Sequence, residues 1–211
     1  DGLFWNNNTS ELLGSTIEFG DIKLHVLAPD HDVAYENKPK EPDELGVRSD
    51  DWYIDLRTLI DNVDDDDIDE GGTNSQSIII LAECAGKKLL LPGDSTPKKL
   101  CDALQSYNKT NGTPLELDFM KLPHHGSTRN VTKNILNEVT CSNFIISTKK
   151  NNKYYFPNKE TIAKLIRYRD SADKAINVYF NYQESLDVLG ITAEELTENN
   201  INLNVCNEFN F

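Results

Sequence analysis

The chain has 211 residues, 38% of them hydrophobic and 27% charged, with 21 basic against 35 acidic side chains and a formal charge of −14. That length buries one good core, and one domain is the expectation. The acidic balance argues against a protein that grips nucleic acid through its phosphates, and no apolar stretch approaches the roughly twenty residues needed to cross a bilayer.

In chain order, Thr16 to Phe19 and Ile22 to Leu27 read as a hairpin about a Gly20-Asp21 turn, ended by Pro29. Residues 30–75 are charged and proline-bearing, with one short amphipathic piece, Trp52 to Ile60, that suits a small helix over a sheet. Within this region the run from Asp61 to Glu70 holds Asp61, Asp64, Asp65, Asp66, Asp67, Asp69 and Glu70. Clustered carboxylates invite calcium, but the run lacks the alternating acids, central Gly and later Glu of a helix-loop-helix calcium site, so 61–72 reads as a solvated, mobile acidic loop.

Ser77-Ile78-Ile79-Ile80-Leu81 and Lys88-Leu89-Leu90-Leu91 read as buried strands joined at Ala85-Gly86. Thr96-Pro97 then supplies an N-cap and a first-turn proline for a helix through about Tyr107, and Asn108 to Pro114 is a polar loop. Leu117 to Leu122 alternates as a strand, Val131, Ile135, Leu136 and Val139 are spaced for a short helix, and Asn143 to Ser147 is a further strand. Asn158 caps a helix from Lys159 to Arg169, Ile176 to Phe180 reads as an edge strand, and Thr192-x-x-Glu195 is a capping box before a polar tail. Residues 181–211 are expected to be a C-terminal extension. The four cysteines, at 84, 101, 141 and 206, are too widely spaced for a zinc knuckle or redox pair, and Cys101 sits on an apolar helix stripe as a small hydrophobe.

The chemistry concentrates at strand ends. Asp94 follows Leu90-Leu91-Pro92-Gly93, and His124-His125-Gly126-Ser127 follows the next strand. Alone, Asp94 reads equally well as a helix cap and a lone His as a structural residue. Carboxylate and imidazole together at strand ends are the ligand types of a divalent metal. Adjacent side chains of an extended segment point to opposite sides, so only one of the two imidazoles is expected to face the Asp94 site. His25, on the polar face of a strand, and His31, in an acidic turn, have no convincing partner.

Taken in order, Asn74-x-x-Ser77 before an apolar strand, a Gly-bearing hairpin, Leu90-Leu91-Pro92-Gly93-Asp94, Lys121-Leu122-Pro123-His124-His125-Gly126-Ser127 and Ile145-Ile146-Ser147 resemble the metallo-β-lactamase-fold hydrolases, in particular their competence-protein branch, the hydrolase domain of DNA-uptake channels. The likeness spans roughly Gly20 to Ile166. It implies an α/β fold, a four-layer αββα sandwich of which this chain carries mainly the second half. It also implies two divalent ions, zinc or manganese, with Asp94 as the bridging carboxylate and His124 as a ligand. His125 is then the catalytic or orienting imidazole, Ser127 a substrate-binding group, and Gly126 the residue that permits the tight turn. Asn74 and Ser77 support the backbone around the site.

The resembling family opens its site with His-x-His-x-Asp-His, a string absent from this sequence, and often places His-Pro where Phe156-Pro157 stands here. An upstream, missing N-terminal half is therefore expected. With it, the implied activity is metal-assisted hydrolysis of a phosphodiester or another ester, with nucleic acid disfavoured by the acidic charge. Without it, a non-catalytic, metal-free scaffold or interaction domain is the alternative, because zinc usually takes three or four protein ligands. The start of the chain carries no signal-peptide pattern, and a cytoplasmic domain, with a membrane-tethered parent, is expected.

Overall fold

The computed structural model describes residues 13–28, 50–112 and 114–209. Two hairpins begin the sheet, β1 (Thr16–Phe19) with β2 (Ile22–Ala28), and β3 (Ile79–Cys84) with β4 (Lys87–Leu91), and the four strands run antiparallel to one another in that order. The second hairpin closes on Ala85 and Gly86, both at positive φ, the geometry whose twist matches that of the flanking strands. From β4 onward the sheet is parallel. After β4 come β5 (Leu115–Glu116), β6 (Phe119–Lys121), β7 (Val139–Thr140), β8 (Asn143–Ile146), β9 (Ile176–Phe180) and β10 (Ile201–Val205). The order across the large sheet is β1-β2-β3-β4-β6-β8-β9-β10, while β5 and β7 pair separately.

Parallel neighbours need crossovers, and helices supply them. Among the described residues, α1 (Leu56–Asp61) precedes β3, α2 (Pro97–Asn111) links β4 to β6, α3 (Lys133–Asn137) links β6 to β8, and α4 (Lys159–Tyr168) links β8 to β9. Two short helices, α5 (Gln183–Asp187) and α6 (Ala193–Glu198), lead into β10. Strand periodicity of two sends Leu81, Leu90, Met120, Phe144 and Val178 to one face, aligned across the sheet and almost fully buried. Leu100 and Leu104 of α2, Ile135 of α3 and Ile162 and Leu165 of α4 join them in one core. On the opposite face Ile80, Leu89, Leu91, Phe119 and Ile145 are only half-buried.

The mixed α/β class is as expected from the sequence; among the described residues it is built on one large sheet and one two-stranded pair. Several local expectations change. The α2 helix continues to Asn111, through the segment read as loop, with the Gly112 N–H donating to the Asn108 carbonyl and the Asn108 amide held on the Glu138 carbonyl. Ile176 to Phe180 is an interior strand and not an edge, flanked by β8 and by β10, since the tail beyond the capping box adds a parallel strand. The capping box itself forms, and Glu195 also reaches across to accept the backbone N–H of Leu56 at 2.9 Å.

The acidic run is a loop beyond Asp61, with Asp61, Asp64, Asp66 and Glu70 exposed, but its other three acids are held by the fold. Asp65 lies 2.9 Å from the ammonium of fully buried Lys164, Asp67 pairs with Arg129 at 2.9 Å, and Asp69 is buried. A periodicity argument has no access to such partners, which come from α4 and from the segment after the histidines. Among the described residues no helix is long and apolar enough to cross a membrane.

Candidate active site

The parallel strands β4 and β6 end side by side, and the turns that follow them are joined by the His124 N–H donating to the Gly93 carbonyl at 3.0 Å. This bond sets the segment carrying Asp94 against the histidine turn. Gly93 adopts φ +61, and a Cβ there would meet Ser77 Cβ at 3.3 Å, so Ser77 packs against the turn that positions Asp94. Lys121, at the end of β6, interacts electrostatically with Asp94; burial pushes its ammonium below the usual lysine range and the Asp94 charge opposes that shift.

The histidine turn is not extended. His124, His125 and Gly126 all have positive φ, at 44°, 60° and 79°. This corrects the expectation of two oppositely directed imidazoles: the rings lie on the same side, 6.0 Å apart, with Phe156 at 5.5 Å from His124 and 6.1 Å from His125. Gly126 is needed for a second reason, since a Cβ would touch Ile146 at 3.3 Å. Ser127 is buried and closes the turn through its N–H to the His124 carbonyl at 2.9 Å.

Each imidazole is held by its Nδ1. His125 Nδ1 lies 2.8 Å from the Ser147 carbonyl, which can only accept, so this nitrogen carries the proton. His124 Nδ1 is 3.2 Å from Asn130 Oδ1 and 3.5 Å from Asp69 Oδ2. Asn130 donates its amide to Asp69 at 2.8 Å and to the Ser95 carbonyl at 3.0 Å, which turns its oxygen toward His124 and again assigns the proton to Nδ1. In its neutral form each ring so held has Nε2 as the acceptor nitrogen.

Asp69 is the hub of this network. It also accepts from Asn74 Nδ2 at 2.8 Å and from the Gly71 N–H at 2.8 Å. Burial alone would raise its carboxyl, but the hydrogen bonds from His124, Asn130, Asn74 and Gly71 outweigh burial and hold it well below the usual carboxylate range. Asn74 thus supports the site through Asp69. Neither Asp69 nor Asn130 stands out in the sequence: the first is one acid among seven and the second an ordinary loop residue. The one local hint is that Asp69 heads Asp-Glu-Gly-Gly, where a carboxylate can take the amide two residues on, as it does with Gly71.

An imidazole that donates one nitrogen to a carboxylate or backbone carbonyl presents the other as a metal ligand or proton acceptor. Yet among the described residues no group of three or more His, Cys, Asp or Glu side chains is arranged to hold a metal ion. The donors present here do not by themselves fit the two-ion centre implied by the resemblance. His25 bonds Thr16 Oγ1 at 2.9 Å and lies 3.7 Å from Glu83 on the surface, away from this turn, and His31 falls outside the described residues.

No family model matches the chain. It is similar to Recombination protein 2 of Haemophilus influenzae, 28% identical over 120 residues that make up 54% of this chain and 14% of that protein. It is also similar to ComE operon protein 3 of Bacillus subtilis, 24% identical over 100 residues, 47% of this chain and 12% of that protein. These likenesses are to two proteins, each matched over about half of this chain's own length. The matched region is a small part of each relative's own length.

Proposed function

We propose that this chain forms part of a metal-dependent hydrolase of the metallo-β-lactamase superfamily that cleaves a phosphodiester. The observation that carries the reading is the pair of adjacent imidazoles after β6, each held through Nδ1, so that the neutral ring presents Nε2 as its acceptor. In this reading Asp94 and His124 are ligands, the remaining ligands for zinc or manganese come from outside the described residues, and the domain is cytoplasmic on a membrane-tethered parent. His125 is the proton carrier. Its Nε2 accepts a proton from the attacking water or returns one to the leaving oxygen, while the Ser147 carbonyl stabilises the imidazolium through Nδ1.

A second reading is favoured by the lack of a three-ligand group among the described residues: a metal-free scaffold that keeps the fold. Metal content of the purified full-length protein and its hydrolysis of bis(4-nitrophenyl) phosphate separate the two. The hydrolase reading expects bound zinc or manganese, with turnover reduced about 100-fold or more in His125→Ala. Absence of both bound metal and turnover would leave the scaffold.

A further inference from the structure

The last strand of the large sheet, β10, is open on its outer side: among the described residues only β9 pairs with it. The Asn200 carbonyl accepts from the Ile176 N–H at 3.0 Å, and the Cys206 N–H donates to the Phe180 carbonyl at 2.9 Å. In a parallel ladder, alternate residues of a strand turn their backbone groups the same way. Asn202 and Asn204 therefore bond to β9, while Ile201, Leu203 and Val205 point their N–H and C=O groups outward.

Open edges are usually blunted by charge, proline or a bulge. At the other edge β1 carries Glu18, 3.6 Å from Lys23. β10 has none of these devices: its five residues pair with β9 in unbroken register, and no charged residue or proline occurs from Asn199 to Asn207 in a chain of charge −14. The strand also reads nearly the same in both directions. Ile201-Asn202-Leu203-Asn204-Val205 is a palindrome in chemical character about Leu203, and Glu198 and Glu208 bracket it symmetrically. On one side of the sheet lie Ile201, buried, Leu203, half-buried, and Val205, 41% exposed. On the other side an asparagine ladder crosses three strands: Asn202 Nδ2 donates to Asn177 Oδ1 and Asn177 Nδ2 to Asn143 Oδ1, each at 2.9 Å. The outermost amide, on Asn202, presents its Oδ1 as an acceptor at the edge.

We propose that β10 pairs antiparallel with β10 of a second copy of this chain, about a two-fold axis through Leu203, joining two sheets into one. The axis sets Leu203 against Leu203 of the second copy and Ile201 against Val205 of the second copy. These are the residues whose backbone groups point outward, so each pair exchanges both of its N–H···O bonds. Asn202 meets Asn204 of the second copy, whose amide donates to Asn202 Oδ1 and continues the ladder. The strand of another protein would have to reproduce this alternation, whereas a second copy does so by symmetry and brings no charge into the strand contact. The contact stands apart from the hydrolase reading and needs no turnover.

The test is sedimentation equilibrium of the full chain over a concentration series, joined to cysteine cross-linking. The mass should rise from one chain to two and no further, because a two-fold contact closes on itself. Association should strengthen with salt, since Glu198, Glu208 and the net charge oppose it and screening shortens their reach to about 3 Å at 1 M. Val205→Pro removes an outward donor and leaves the β9 ladder intact, so it should weaken association about tenfold at unchanged circular dichroism, while Val205→Thr retains it. In a Cys206→Ser background, copies bearing Asn202→Cys are mixed with copies bearing Asn204→Cys and oxidised. The mixed disulfide should form in preference to either like-with-like product, because directly opposite residues of this pair lie about 4.5 Å apart. A single chain mass at every concentration, association that salt weakens or that Val205→Pro leaves unmoved, or like-with-like disulfides equal to the mixed one would overturn the contact.

Discussion

At the residue scale, Asp69 does the most to organise the candidate site, because one buried carboxylate meets donors from His124, Asn130, Asn74 and Gly71. Asp69→Asn would set an amide N–H against those donors. The expected result is a loss of about 1–3 kcal/mol in stability and, if the chain is a hydrolase, a fall of about 10- to 100-fold in activity, as for other groups that orient a working imidazole. Urea midpoints and diester turnover check the two parts separately. The pH dependence has a definite sign. The folded carboxyl titrates below its unfolded value near 4, so its contribution is complete above about pH 4 and is lost as the pH falls further. Asp69→Asn should therefore flatten the acid limb of the stability curve.

At the element scale, the start of α4 is capped from a distance. Asn158 makes no capping bond to the helix, and buried Asp51 instead accepts the Glu160 N–H at 2.8 Å. Burial pushes the Asp51 carboxyl up to about 6, with the Glu160 charge adding to the shift and the backbone N–H groups of Glu160 and Lys159 opposing it. The sign is opposite to that of Asp69. The folded chain holds a proton that the unfolded chain releases near 4, so stability should fall by about 2–3 kcal/mol as the pH rises from about 4 to about 6. Asp51→Asn should remove that descending limb, as read from denaturation midpoints across the interval. In the histidine turn, Gly126→Ala should cost about 1–3 kcal/mol, since it adds both an unfavourable φ and a contact with Ile146. Thermal melts would show it, and a melting temperature equal to that of the parent chain would count against the constraint.

At the scale of the whole molecule, Lys164 ties three parts together. Its ammonium is fully buried and donates to the carbonyls of Thr128 at 2.9 Å and Val131 at 3.1 Å while facing Asp65. It thus connects α4, the segment after the histidine turn and the acidic run that carries Asp69. Removing one partner of a buried pair leaves the others uncompensated, so Lys164→Met should destabilise by about 3–5 kcal/mol. It should also raise hydrogen exchange in residues 64–70 and 128–131 beyond that in β1–β4, a regional effect distinct from uniform loosening.

Local patterning was enough for the elements whose signals are local. The hairpins about Gly20-Asp21 and Ala85-Gly86, the proline-started α2, the Thr192 capping box and the run of buried strands all follow from turn chemistry and the two periodicities. The positions of Asp94 and the histidines at strand ends were legible for the same reason. Tertiary structure alone decided the rest. It made β10 a parallel partner of β9, because strand neighbours are chosen by a surface to cover and not by the strand's own composition. It turned the histidine segment into a left-handed turn with both imidazoles on one side, and it drew Asp69 out of an apparently solvated run to sit beneath them. A buried carboxylate needs several donors at once, and those donors lie on segments that only folding brings together.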